Sequence, residues 1–132
     1  MGRLHPTYVA IVDDDESLCR SLSRLLRAAG MQPVSYPSAE DFLDDTKRPV
    51  FDCLVLDIQL GGMSGIDLHR QLNSSHVEIP VVYVTAHDEP AVREEAQAEG
   101  YAGYFRKTAP GADVLAAISR AIGRQTAKGE QS

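Results

Sequence analysis

Five polar residues in this 132-residue chain stand where short apolar runs stop. Tyr8 to Val12 (YVAIV) runs into Asp13 and Asp14, and Cys53 to Leu56 (CLVL) into Asp57. Val81 to Val84 (VVYV) runs into Thr85, and Ala102 to Arg106 into Lys107. In an open parallel sheet, chemistry collects beyond the carboxyl ends of the strands. Adjacent strands lie only about 4.8 Å apart, so neighbouring strand ends would crowd three carboxylates together. Like charges that close are unfavourable unless neutralised. Mg²⁺, a hard cation that takes carboxylate, carbonyl and water oxygens, suits such a cluster. With a hydroxyl and a lysine ammonium added, the set has the parts for handling a phosphoryl group. Singly, each residue has a plainer reading. Asp57 is equally a polar strand end facing water, Thr85 an ordinary cap, and Asp13 to Glu16 a solvated acidic turn.

The elements that must position these residues alternate along the chain. The unbroken run before Asp57 is too short for a helix and lacks polar alternation, which suits a central strand covered on both faces. Leu18, Leu22, Leu25, Leu26 and Ala29 share one helical face, with Gly30 as the stop. Gln32 to Tyr36 reads as an edge strand because of Pro33. Ser38 with Asp41, and Ser64 with Asp67, have capping-box spacing and open the second and third helices. Asp88 is placed to cap a fourth helix with Pro90 in its first turn. That helix, to about Glu99, has the poorest apolar face, with Val92 and Ala96 as its main pair. Pro110 to Ile122 forms the last helix. Residues 1–123 then make one domain and residues 124–132 a polar tail, expected to be disordered. Strand and helix alternate five times, which predicts an α/β, three-layer, flavodoxin-like doubly wound fold. Its five-stranded parallel sheet has order 2-1-3-4-5 with five helices.

Composition narrows the classes. A net charge of −6 argues against direct nucleic-acid binding by this segment. No apolar run approaches the roughly 20 residues of a membrane span, and the N-terminus lacks a signal-peptide pattern, so a cytoplasmic location is expected. Cys19 and Cys53 sit at apolar positions without metal-like spacing, which reads as two buried reduced thiols. His5, His69, His76 and His87 are scattered, with no zinc pattern.

Taken together, the strand ends resemble those of receiver domains of bacterial two-component response regulators, over Tyr8 to Ile122. The motifs are IVDDDES, LVLD closing on Asp57, GMSG, VVYVTA and YFRK closing on Lys107, with Tyr104 at the family's aromatic switch position. GMSGIDL and TAHDEPAVR are similar to receivers that precede helix-turn-helix transcription-factor domains. The resemblance implies that Asp57 takes a phosphoryl group from a sensor histidine kinase or a phosphotransfer protein. Asp14 would ligate Mg²⁺ directly, Asp13 through water, and the Gln59 carbonyl would complete the protein's share. Lys107, the Thr85 hydroxyl and the Ala86 N–H would bind phosphate oxygens. Thr85 and Tyr104 would switch the face from Asp88 to Lys107, a candidate homodimer surface. The chain would catalyse only its own phosphorylation and dephosphorylation.

Two departures from the family pattern are Gly61 and Thr108, both at positions usually proline. A cis bond before a non-proline residue costs about 2.5–4 kcal/mol, so a trans Lys107–Thr108 bond is expected. A haloacid-dehalogenase-like phosphatase would need a second acid where Gln59 stands. A flavodoxin-like mononucleotide carrier would need a glycine- and hydroxyl-rich phosphate loop where this chain has acids.

Overall fold

The computed structural model describes residues 6–130, with side chains through Arg124. The elements are β1 (Tyr8–Val12), α1 (Glu16–Ala28), β2 (Gln32–Tyr36), α2 (Ala39–Asp44), β3 (Cys53–Leu56), α3 (Gly65–Ser74), β4 (Val81–Thr85), α4 (Pro90–Ala98), β5 (Gly103–Arg106) and α5 (Gly111–Glu130). All strand pairs are parallel, in the order β2-β1-β3-β4-β5. The expected architecture is therefore the observed one. Every residue of β3 and β4 is buried, as fully apolar strands between two helical layers must be. The edge strands β2 and β5 are only partly covered.

Side-chain alternation splits the core in two. Ala10, Val12, Leu54, Leu56, Val81 and Tyr83 face α2, α3 and α4, together with Phe42, Leu68 and Ala96. Val9, Ile11, Cys53, Val55, Val82 and Val84 face α1 and α5, where Leu22, Leu26, Val114 and Ile118 close over them. Both cysteines are buried and unpaired, and burial pushes the Cys53 thiol up to about 12, which makes it inert at neutral pH.

Three local readings need correction. Leu25, placed on the buried face of α1 by its spacing, is 36% exposed, while Cys19 and Ser23 are buried in that helix. Its stripe is rotated toward the sheet, and Leu25 lies instead where a side chain on Gly111 would go. The N-cap of α4 is Glu89, which makes no side-chain capping bond. Asp88 points its carboxylate to Arg93 and Arg106 instead, at 3.5 and 3.6 Å. Finally, α5 continues beyond Ile122 to Glu130. Residues 124–128 are mostly good helix formers, so the helix propagates after its apolar face has ended. Residues 131–132 of the expected tail, and residues 1–5 of the domain, lie outside the described residues.

Candidate functional site

The sheet register assembles the site. Val12 is paired with Leu56, so the next residues, Asp13 and Asp57, leave adjacent strands side by side. The ladder holds them there, because the Asp57 N–H donates to the Val12 carbonyl at 3.0 Å and the Asp13 N–H to the Tyr36 carbonyl at 3.0 Å. Carboxylate oxygens of Asp13, Asp14 and Asp57 all lie within 4.8 Å of one another. Asp13 and Asp57 are buried, and Asp14 is exposed at the mouth.

Lys107 reaches into this cluster from the end of β5. Its Nζ lies 3.1 Å from Asp13 Oδ1 and 3.1 Å from Asp57 Oδ2. One ammonium thus faces two buried carboxylates. Burial pushes the Asp13 carboxyl up from 3.8 to about 6; the Asp15 N–H opposes this, the Asp57 charge adds to it, and Lys107 offsets part. Burial works to lower Lys107, yet its bonds to Asp57 and Asp13 hold it above its ordinary value. Asp13 Oδ1 accepts from the Asp15 N–H at 2.9 Å as well as from Lys107, whereas the buried Oδ2 has no partner. An orphaned buried carboxylate oxygen is costly. The donor set, three carboxylates with one oxygen unsatisfied, fits a hard divalent cation such as Mg²⁺.

A pH dependence with a definite sign follows. With its folded value raised to about 6, Asp13 contributes stability that is fully present below its unfolded value of 3.8 and lost as pH rises through 6. The difference is worth about 3 kcal/mol. His69 acts oppositely: burial lowers its value from 6.5, so its stability is present above 6.5 and lost as pH falls. Subtracting Asp13→Asn from wild type cancels His69. In chelator, urea unfolding should show Asp13→Asn gaining on wild type from pH 5 to pH 8. A difference that stays constant across that range would contradict this assignment.

The loop after β3 is shaped around Asp57. The Gln59 N–H donates to Asp57 Oδ1 at 3.1 Å, and the Gly65 N–H to the Ile58 carbonyl at 3.1 Å. A Cβ on Gly65 would stand 2.1 Å from the Asp57 carbonyl oxygen, so only glycine lets α3 start this close to the site. Ser64 caps that helix by accepting from the Asp67 N–H at 3.0 Å. No cis peptide bond occurs among the described residues, so Lys107–Thr108 is trans as expected. The chain turns there through a hydrogen bond from the Ala109 N–H to the Arg106 carbonyl, 2.9 Å.

Thr85 closes β4 and is fully buried, with Ala86 exposed just beyond it. The Thr85 hydroxyl is engaged locally. It donates to the His87 carbonyl at 3.0 Å and accepts from the His87 N–H at 3.2 Å. Tyr104 lies farther back on β5, in a ring cluster with Tyr83 and Tyr101 at centroid distances of 6.2 and 5.4 Å. The Arg93 guanidinium covers its ring at 4.8 Å, and its buried hydroxyl oxygen has no hydrogen-bond partner. His69, read from sequence only as scattered, is buried with Nδ1 2.8 Å from the Tyr83 hydroxyl. A signal was available: His69 stands three residues from both Ile66 and Leu72, on the apolar face of that helix.

These strand-end residues and this topology define a receiver. The family model for the response regulator receiver domain matches residues 9–119, and the chain belongs to that family. Nodulation protein W of Bradyrhizobium diazoefficiens is 33% identical across 92% of this chain and 54% of its own length. The transcriptional regulatory protein FixJ of Azorhizobium caulinodans is 31% identical across 93% and 58%. The crystal structure of a response regulator receiver protein from Burkholderia phymatum superposes with a TM-score of 0.74 at 37% identity, covering 89% of this chain and 95% of that one. The chain spans about half the length of the curated relatives it matches. Neither the phosphatase nor the flavodoxin-like alternative is supported. No described helix is long and apolar enough to cross a membrane.

Proposed function

We propose that Asp57 accepts a phosphoryl group from the phosphohistidine of a sensor histidine kinase or phosphotransfer protein, with Mg²⁺ held by Asp13, Asp14, Asp57 and the Gln59 carbonyl. The observation that carries this reading is Lys107, whose ammonium joins the two buried carboxylates of neighbouring strands. A carboxylate oxygen of Asp57 attacks phosphorus, and the bond from phosphorus to the donor nitrogen breaks with its electron pair leaving on the imidazole. Mg²⁺ supplies charge neutralisation at the phosphoryl oxygens. Lys107 moves from carboxylate to phosphoryl oxygen, and the Thr85 hydroxyl and Ala86 N–H supply the remaining donors. The protein's contribution is alignment and preset charge, so the chain turns over only its own acyl phosphate. The receiver unit comprises residues 1–123, acts in the cytoplasm and controls an output partner or domain. Acetyl phosphate with Mg²⁺ should add one phosphoryl group by intact mass. Full modification in excess chelator would refute the metal's role.

The output face extends from Asp88 to Lys107. For the Thr85 hydroxyl to bond a phosphoryl oxygen it must leave both His87 partners, loosening the chain that enters α4. That helix buries only Ala96 completely and has no side-chain cap, so it shifts at low cost. Tyr104 lies under Arg93, whose partner Asp88 also holds Arg106. Movement of the α4 entry therefore breaks and remakes charges on a surface suited to a homodimer or partner contact. With beryllofluoride and Mg²⁺, amide shifts should spread from the metal site through residues 88–107 in wild type and stay local in Thr85→Ala. An equal spread in both proteins would remove Thr85 from the switch.

A further inference from the structure

One contact onto the acceptor loop comes from outside its own strand and helix. Glu40, in the first turn of α2, reaches across 23 residues of sequence, and its Oε2 accepts the Met63 N–H at 2.9 Å. The carboxylate lies directly over Gly62, where a Cβ would fall 2.6 Å from Oε2. Gly62 has φ of +86°, so the backbone turns left-handed beneath the carboxylate in a way that presents the next N–H to it. The Met63 N–H holds Glu40 below the usual carboxylate range, so the acceptor is ionised at neutral pH.

The loop needs such a tie. Gly61 and Gly62 are consecutive and exposed. A Cβ on Gly61 would meet nothing within 4 Å, and its N–H has no partner among the described residues. Two glycines in sequence leave the backbone its greatest freedom. Gln59, two residues upstream, bonds Asp57 through its N–H, and its carbonyl is the backbone ligand of the metal site proposed above. Freedom at 61–63 is therefore freedom of the metal site.

The geometry points to Glu40 as a positioning residue for phosphoryl acceptance: its carboxylate clamps the Met63 N–H and so sets the Gln59 backbone against Asp57. This rests on the reading of Asp57 and Mg²⁺ given above. The clamp acts by conformational restriction, which predicts that another restriction can replace it. Alanine at 61 is the direct choice, since Gly61 has no left-handed φ and a Cβ there would meet nothing within 4 Å.

The test uses the whole chain with Mg²⁺ alone as the probe, by titration calorimetry, alongside amide hydrogen exchange in metal-free protein. In Glu40→Ala the Met63 amide should lose protection, and Mg²⁺ should bind roughly 3- to 10-fold more weakly. That is below the roughly 10–100-fold typical of groups bonded to a metal ligand itself. Glu40→Gln keeps an acceptor oxygen and should stay within about twofold of wild type. Adding Gly61→Ala, which restricts the same backbone, to Glu40→Ala should recover part of the affinity, which a general loss of stability would not allow. Unchanged Met63 exchange in Glu40→Ala overturns the clamp, as does wild-type Mg²⁺ affinity in that variant or a failure of Gly61→Ala to rescue it. If wild type binds no Mg²⁺, the reading of the metal site fails, and the metal-free exchange result still judges the contact by itself.

Discussion

Asp57→Asn leaves the protein at its unmodified mass after treatment with acetyl phosphate and Mg²⁺, while wild type gains one phosphoryl group. Asp13 and Asp14 are also carboxylates at the same end of the sheet, but their surroundings differ from those of Asp57. Asp57 ends the central strand, with the acidic pair on one side and the end of β4, Thr85, on the other. A group attached there can meet Lys107, Thr85 and a cation held by Asp13 and Asp14. Asp13 lies one strand nearer the edge beside Tyr36, away from the β4 hydroxyl, and burial raises its carboxyl to about 6. Asparagine preserves the shape and the Gln59 hydrogen bond but is no nucleophile. Equal modification of wild type and Asp57→Asn, measured by intact mass, would assign the acceptor elsewhere.

Lys107→Ala lowers the stability of metal-free protein at pH 7 by roughly 2–4 kcal/mol, and saturating Mg²⁺ recovers most of the loss. Breaking a buried pair by removing one partner costs about 3–5 kcal/mol. The Lys107 side chain is 19% exposed, so water replaces part of what is lost. The two aspartates left behind repel each other, and a divalent cation restores the missing charge. Mg²⁺ at 100 times its Kd supplies about 2.7 kcal/mol. The mutant should respond to Mg²⁺ more than wild type, in which the ammonium competes for the same oxygens. Urea unfolding with and without Mg²⁺ decides this. An equal Mg²⁺ increment in both proteins would mean that Lys107 does not share the cation's place.

The departures from expectation have particular causes. Leu25 satisfies helical spacing, yet it is Cys19 and Ser23 that turn toward the sheet, because a stripe shared by several small residues leaves its rotation open. Asp88 is a suitable cap by type and position, but Arg93 lies five residues on and Arg106 on the neighbouring strand, and two cations outcompete one backbone N–H. The extension of α5 to Glu130 carries no apolar signal, only propensity. The two bonds between the Thr85 hydroxyl and His87 are local contacts that no spacing signals.

Strand order and the crowding of Asp13, Asp14 and Asp57 at one end of the sheet are determined by the sequence alone. The reason is that each lies one or two residues beyond an apolar strand, and parallel strands with right-handed crossovers can be arranged in few ways. The tertiary structure decided what depends on side chains meeting across distant segments. Lys107 divides itself between two carboxylates and leaves one oxygen of Asp13 unsatisfied. His69 meets Tyr83 from the next strand, and Glu40 reaches Met63 from another helix. Periodicity records which face of an element is buried, whereas contacts of 14 and 23 residues' separation are set by how helices sit against the sheet.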